Sequence, residues 1–145
     1  MRIAIIGAGY MGSALAWPLG DNGHTVQLVG THLDEEIITT CKRTGVHPKL
    51  KRPLPEGVRV FSLSGIDEAL EGVEVIVSGV NSFGVSWITE ILKPRICLNH
   101  TILSVTKGLE ISSDGVIRTF PQRIVASLSA DTGRQGAVAA VGGPC

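Results

Sequence analysis

The first run, Arg2-Ile3-Ala4-Ile5-Ile6, is apolar without a break after Arg2, the pattern of a strand buried on both faces. It breaks into Gly7-Ala8-Gly9-Tyr10-Met11-Gly12, after which Ser13-Ala14-Leu15-Ala16 opens a helix over about residues 11–19. Pro18 falls late in that helix and should kink it or hasten its end, and Asn22-Gly23 supplies a left-handed C-terminal turn. Val26-Gln27-Leu28-Val29 reads as a second strand. Thr31-His32-Leu33-Asp34 has the spacing of a capping box and opens a helix through Glu35, Ile37, Ile38 and Cys41 that Gly45 closes. Residues 46–57, with Pro48, Pro53 and Pro55, read as a loop before the strand 58–61. Ser64 to Asp67 is a second capping box, with a short helix ending at Gly72.

The apolar run 73–80 predicts another strand. A helix over about residues 82–92 carries Val85, Ile88 and Leu92 on one face until Pro94 stops it. Residues 101–106 form the next strand and end at Lys107-Gly108. Residues 111–117 look like a small hairpin around Asp114-Gly115. Thr119 can cap a helix with Pro121 in its first turn and Ile124, Val125 and Leu128 on its apolar face. The last strand, 137–141, runs into Gly142-Gly143-Pro144-Cys145.

Strands alternating with helices imply parallel strands joined by right-handed crossovers. Six strands in this order predict an α/β fold: a Rossmann-type doubly wound, mostly parallel sheet with helices on both faces. Ligands of such a sheet bind outside the carboxyl ends of the strands, here just after Ile6, Val29, Val80, Thr106 and Val141. In the G-x-G-x-x-G turn each glycine has its own task. Gly7 allows the tight turn, Gly9 lets a pyrophosphate approach the backbone, and Gly12 lets helix and strand pack closely.

Composition narrows the picture. The 145 residues suit one domain, and 43% apolar against 4% aromatic content predicts an aliphatic core. Lys plus Arg equals Asp plus Glu at 13 each, so no basic field argues for nucleic acid or a membrane surface. The cluster Lys49, Lys51, Arg52 reads as a solvated loop. No apolar run has the length of a membrane span, and the N-terminus lacks a signal-peptide pattern. Cys41, Cys97 and Cys145 form no metal or redox motif, and the four histidines are scattered. A cytoplasmic chain with free thiols and no metal site is expected.

At the end of the second strand stand Gly30, Thr31 and His32, without the carboxylate that usually meets an NAD ribose. A 2′-phosphate would not be repelled there. Thr31 has a hydroxyl to offer and His32 or Arg43 a charge, which tips the expectation towards NADP over NAD. Asn81 and Ser82 lie where a cofactor would pass, and both are also ordinary helix caps. Lys107 follows a buried-looking strand directly, with Gly108 leaving space beside it. An ammonium there can bind a phosphate or polarise a carbonyl. No nucleophile–base pair or carboxylate dyad is evident, so a cofactor would carry the chemistry.

Thr106-Lys107-Gly108-Leu109-Glu110 resembles the T-K-G-L-E motif of NAD(P)-dependent glycerol-3-phosphate dehydrogenases. The segment from Gly7 to Ala16 resembles their start, Pro53-Leu54-Pro55-Glu56-Gly57-Val58 their Pro-rich segment, and Gly143-Pro144-Cys145 their S-G-P-S/T segment. The resemblance implies hydride transfer between dihydroxyacetone phosphate and sn-glycerol 3-phosphate with NADH or NADPH. It implies that Tyr10 and Met11 lie against the cofactor phosphates and that Thr31 or His32 faces the adenosine ribose. It further implies that Lys107 contacts cofactor and substrate, and that Gly143 and Cys145 contact substrate. Met11 replaces a common Trp, and Cys145 stands where Ser or Thr is usual. The family continues into a helical domain carrying its Lys general acid/base. Residues 1–145 are therefore expected to be the cofactor-binding domain, inactive alone and self-associating through the face that domain would cover. A ketopantoate or β-hydroxyacid-type reductase domain, and a non-catalytic dinucleotide-binding module, are the alternatives.

Overall fold

The computed structural model describes residues 1–97, 99–111, 115–132 and 137–142. In chain order the elements are β1 (Arg2–Ile6), α1 (Tyr10–Ala14), α2 (Ala16–Asp21), β2 (Thr25–Val29), α3 (Glu35–Thr44), β3 (Val46–His47), β4 (Arg52–Pro53) and β5 (Val58–Phe61). There follow α4 (Ile66–Ala69), β6 (Val75–Ser78), α5 (Val85–Leu92), β7 (Thr101–Ser104), β8 (Leu109–Ile111), β9 (Ile117–Thr119), α6 (Phe120–Thr132) and β10 (Ala137–Ala140).

Six strands form one sheet in the order β10-β7-β6-β1-β2-β5, with every pair parallel. The chain leaves β1 in one direction through β2 and returns to its other side with β6, so the strand order reverses between β1 and β6. Ile6 pairs with Val29 on one side and Ser78 on the other, which brings the three carboxyl ends level. One core layer packs Ile6, Val29, Ile76 and Ile102 against α4, α5 and α6. The other packs Ile5, Leu28 and Val77 against Trp17, Ile37 and Ile38. Each fully buried aliphatic side chain contributes about 1.5–3 kcal/mol, so these layers fix the sheet that carries the strand ends.

Several elements depart from the sequence reading for identifiable reasons. The first helix divides at Leu15, whose N–H turns back to the Gly12 carbonyl (3.3 Å); Pro18 has no N–H for the Ala14 carbonyl. The stretch read as a proline-rich loop contains the antiparallel pair β3–β4. Lys51 turns this hairpin at φ +52, a left-handed conformation unusual for a residue with a side chain. The short helix is present as α4, but the Ser64–Asp67 capping box does not form. The Ser64 hydroxyl meets that of Ser62, while Asp67 holds Arg95 across the surface (2.6 Å). The Thr119 cap is present: Thr119 N–H donates to Gln122 Oε1 (2.8 Å) and Gln122 N–H to Thr119 Oγ1 (3.3 Å).

Two histidines are buried in the neutral form. Burial pushes the imidazole pKa of both His47 and His100 down, and Lys49 adds to the effect at His47. In each ring Nδ1 accepts a backbone N–H, from Leu50 at His47 and from Cys97 at His100, both at 3.2 Å. An unfolded imidazole titrates near about 6.5, so below that pH the unfolded chain binds more protons than the folded one. Stability is full above about pH 6.5 and falls as the pH drops through and below it. Urea midpoints measured from about pH 7.5 to about pH 5 should decline in that direction; a midpoint that rises on acidification contradicts the burial of both rings.

Candidate functional site

The glycine turn has a tight floor. Gly7 sits at φ +116 and its N–H donates to the Val29 carbonyl at 2.8 Å. A Cβ on Gly7 would lie 2.7 Å from the Gly79 carbonyl oxygen, and one on Gly12 would collide with the Gly7 carbonyl oxygen. Gly79 closes the set: its N–H donates to Ile6 (2.8 Å), and a Cβ there would stand 3.0 Å from Gly12 Cα. These three glycines let the ends of β1 and β6 and the start of α1 meet at the switch point. Gly79 is a site residue that the sequence reading missed, although it punctuates the apolar run 73–80 at the strand's end.

The mouth of the turn is open. A Cβ on Gly9 would meet nothing within 4 Å, and the Gly9 N–H has no partner among the described residues. Tyr10 and Met11 beside it are 60% and 58% exposed. Lys49 stands over the Tyr10 ring (5.7 Å) and Arg52 over Trp17 (5.1 Å), so two cations of the basic cluster rest on aromatic faces beside the turn. The first amides of α1 follow Gly9 directly, and a helix cannot satisfy its own first N–H groups. A tight floor, an open mouth and unpaired amides fit a pyrophosphate.

Asp34 makes the capping-box bond to the Thr31 N–H expected of it and reaches further. Helix α3 starts after it, and the carboxylate turns inward, 8% exposed as a residue. Its Oδ2 accepts from Thr31 Oγ1 (2.7 Å), Thr31 N–H (2.9 Å) and, across the fold, Ala8 N–H (3.1 Å). The Thr31 hydroxyl thus spends its only proton on Asp34, while its oxygen accepts from Leu33 N–H (3.2 Å). His32 is exposed, and its ring meets Trp87 of α5 edge to face at 5.3 Å.

Beside these residues lies a cavity of about 440 Å³, lined by Thr31, His32, Glu35, Thr39, Lys42 and Ser62 among others. The cation here is Lys42, whereas Arg43 does not line it. Glu35, Thr39 and Lys42 recur at helical spacing and share one face, and Arg43 is rotated off it. That spacing was a readable signal. Asn81 caps the turn before α5 by accepting from Gly84 N–H (3.1 Å), a bond that does not use its amide NH₂.

Around Lys107 the neighbours are anchors. Thr106 Oγ1 donates to the Val80 carbonyl (2.7 Å), tying the end of β7 to the end of β6. Gly108 sits at φ +119, and a Cβ there would stand 3.1 Å from the Phe120 ring. Glu110 forms an ion pair with Arg123 of α6, and Arg123 also donates to Ser86 Oγ (2.6 Å). Lys107 itself is exposed at the strand end. Gly143 and Cys145 lie outside the described residues, and among the described residues no cluster of His, Cys, Asp or Glu could hold a metal ion.

Residues 2–145 match the protein family described as NAD-dependent glycerol-3-phosphate dehydrogenase N-terminus. The chain belongs to that family. It is the N-terminal, cofactor-binding domain of the glycerol-3-phosphate dehydrogenases, built on the six-stranded parallel sheet described above. The NADP(+)-dependent glycerol-3-phosphate dehydrogenase of Archaeoglobus fulgidus is 36% identical over 124 residues, covering 86% of this chain and 36% of that protein. The glycerol-3-phosphate dehydrogenase [NAD(P)+] of Shouchella clausii is 32% identical over 143 residues, 99% of this chain and 40% of its own length. The crystal structure of glycerol-3-phosphate dehydrogenase from Coxiella burnetii superimposes with a TM-score of 0.79 at 28% identity, over 99% of this chain and 41% of that one. The chain thus spans about two fifths of these dehydrogenases. A ketopantoate reductase from Ralstonia eutropha, at 20% identity and a TM-score of 0.67, shares the fold.

Proposed function

We propose that this domain holds NAD(P)H for the interconversion of dihydroxyacetone phosphate and sn-glycerol 3-phosphate, and that the 145 residues alone bind the cofactor without turning it over. The observation that carries the reading is the turn Gly7–Gly12, closed beneath by Gly79 and open above Gly9. The Gly9 N–H and the first amides of α1 receive the pyrophosphate, flanked by Tyr10 and Met11. Thr31 and His32 line the adenosine ribose, and Asn81 offers its NH₂ along the cofactor's path. The dinucleotide, when bound, supplies the hydride. Lys107 orients and polarises the substrate carbonyl, an electrostatic task suited to an ammonium at a strand end. Gly143 and Cys145 complete the substrate side of this domain.

The family's general acid/base belongs to its helical domain, so proton transfer and half of the substrate's orientation come from outside these residues. Oxidation of NADPH by the 145-residue chain with dihydroxyacetone phosphate should be undetectable, while NADPH binding is retained. Robust turnover by this chain would sink the division of labour. The described residues include no helix long and apolar enough to cross a membrane.

Cofactor choice rests on the 440 Å³ cavity beside Thr31. Lys42 makes no ion pair among the described residues and offers its charge to a 2′-phosphate. Lys42→Ala should weaken NADPH about tenfold and NADH by less than about twofold, the scale of one charge-assisted hydrogen bond. Equal losses for both in a calorimetric titration would remove Lys42 from the discrimination.

The hairpin β8–β9 exposes Leu109, Ile111 and Ile117 at 66%, 75% and 64%, a cluster of large apolar side chains on one short element. A second copy of the chain covers this face when the helical domain is absent. Light scattering should show a mass that rises with concentration, and Ile111→Lys should reduce it. A constant monomer mass at high concentration contradicts this.

A further inference from the structure

We infer that His47 is a positioning residue, whose Nε2–H draws the Ala8 carbonyl inward and thereby aims the Gly9 N–H outward at the dinucleotide phosphates. The inference rests on the dinucleotide reading above and adds a residue to it. His47 is fully buried, and its Nε2 lies 3.2 Å from the Ala8 oxygen. Its Nδ1 is 3.2 Å from the Leu50 N, and a backbone N–H can only donate. Nδ1 is therefore the acceptor, and in the neutral ring the proton sits on Nε2, facing Ala8. The ring is held by the β3–β4 hairpin, where Lys51 N–H donates to the His47 carbonyl (2.8 Å), and by Trp17, edge-on at 6.4 Å.

The Ala8–Gly9 peptide is trans, so its C=O and N–H point in opposite directions. Pulling the carbonyl towards His47 turns the Gly9 N–H away from the core. Asp34 takes the other polar group of Ala8, its N–H, at 3.1 Å. Ala8 is thus clamped at both ends by buried side chains from 26 and 39 residues along the chain. The clamp is needed because Gly7 and Gly9 flank Ala8, and glycines let the intervening peptides rotate at little cost. The glycines permit the turn's shape; His47 and Asp34 select the orientation in which it can donate.

Two ligands separate positioning from general support: NADPH, which needs the pyrophosphate cradle, and adenosine 2′-monophosphate, which lacks a pyrophosphate. His47→Leu, which removes the donor, should weaken NADPH about tenfold or more, the scale of a misdirected hydrogen bond to a charged group. It should leave adenosine 2′-monophosphate within about twofold. His47→Gln, which restores an N–H donor, should recover most of the NADPH affinity. Equal NADPH affinity in His47→Leu, or parallel losses of both ligands, overturns the inference. Absence of NADPH binding by the unsubstituted chain overturns the dinucleotide reading itself. In the unsubstituted protein, saturation with NADPH should move the Gly9 amide resonance far more than that of Ala8. A Gly9 resonance that stays in place overturns the inference without any variant.

Discussion

Gly12→Val should abolish dinucleotide binding and lower the stability of the domain by about 2–3 kcal/mol. The first carbon of the new side chain would collide with the Gly7 carbonyl oxygen, a backbone atom fixed by the turn and by the Gly7–Val29 hydrogen bond. No rotamer relieves a Cβ clash, so the start of α1 must move away from β1. Overpacking of this kind costs about 1–3 kcal/mol, with the upper end expected against rigid backbone. Gly12→Ala shows which effect wins. Ala gains about 1 kcal/mol of helix propensity over Gly, yet meets the same oxygen, and should still be destabilising by roughly 1–2 kcal/mol. Urea denaturation reads the stability, and NADPH fluorescence reads the binding. An alanine variant as stable as the unsubstituted domain would show that the turn is looser than the geometry requires.

Asp34→Ala should have the second large effect, a loss of about 3 kcal/mol with at least tenfold weaker NADPH binding. One carboxylate oxygen receives three donors, and removing it strands two backbone N–H groups and a hydroxyl in the interior. Each hydrogen bond to a charged group is worth about 1.5–3 kcal/mol, offset in part because a carboxylate no longer has to be desolvated. Asp34→Asn keeps an acceptor of the same shape and should lose only about 1–2 kcal/mol. The order Ala below Asn below Asp in denaturant midpoints checks this. An alanine variant with an unchanged midpoint would mean that the three donors find water instead.

Much of the architecture was legible because the strands announce themselves. The runs at Ile3–Ile6, Val26–Val29 and Val75–Ser78 are apolar apart from Gln27 and Ser78, the pattern of strands in a covered parallel sheet. The glycine turn was legible because its residues are consecutive, with Gly7 and Gly12 meeting steric demands and Gly9 leaving the mouth open. The parts that stayed hidden depend on partners far apart in the chain. Asp34 has capping-box spacing from Thr31, and nothing local shows that its carboxylate also reaches Ala8. His47 sits among prolines that suggest a loop, and its bond to the glycine turn exists only once β3 and β4 pair. Lys42 was passed over for its neighbour Arg43, although helical spacing from Glu35 separates them. Glu110 looked like part of a site motif; its ion pair with Arg123 ties β8 to α6, anchoring the segment that presents Lys107.

On the proposed function, the turn between β1 and α1 is a dinucleotide cradle. Calorimetric titration of the 145-residue chain with NADPH, with Gly12→Val in parallel, tests it most directly. One dinucleotide should bind per chain, with an affinity in roughly the micromolar range, and Gly12→Val should give no heat of binding. A folded, unsubstituted chain that gives no binding heat and leaves NADPH fluorescence unchanged would contradict it.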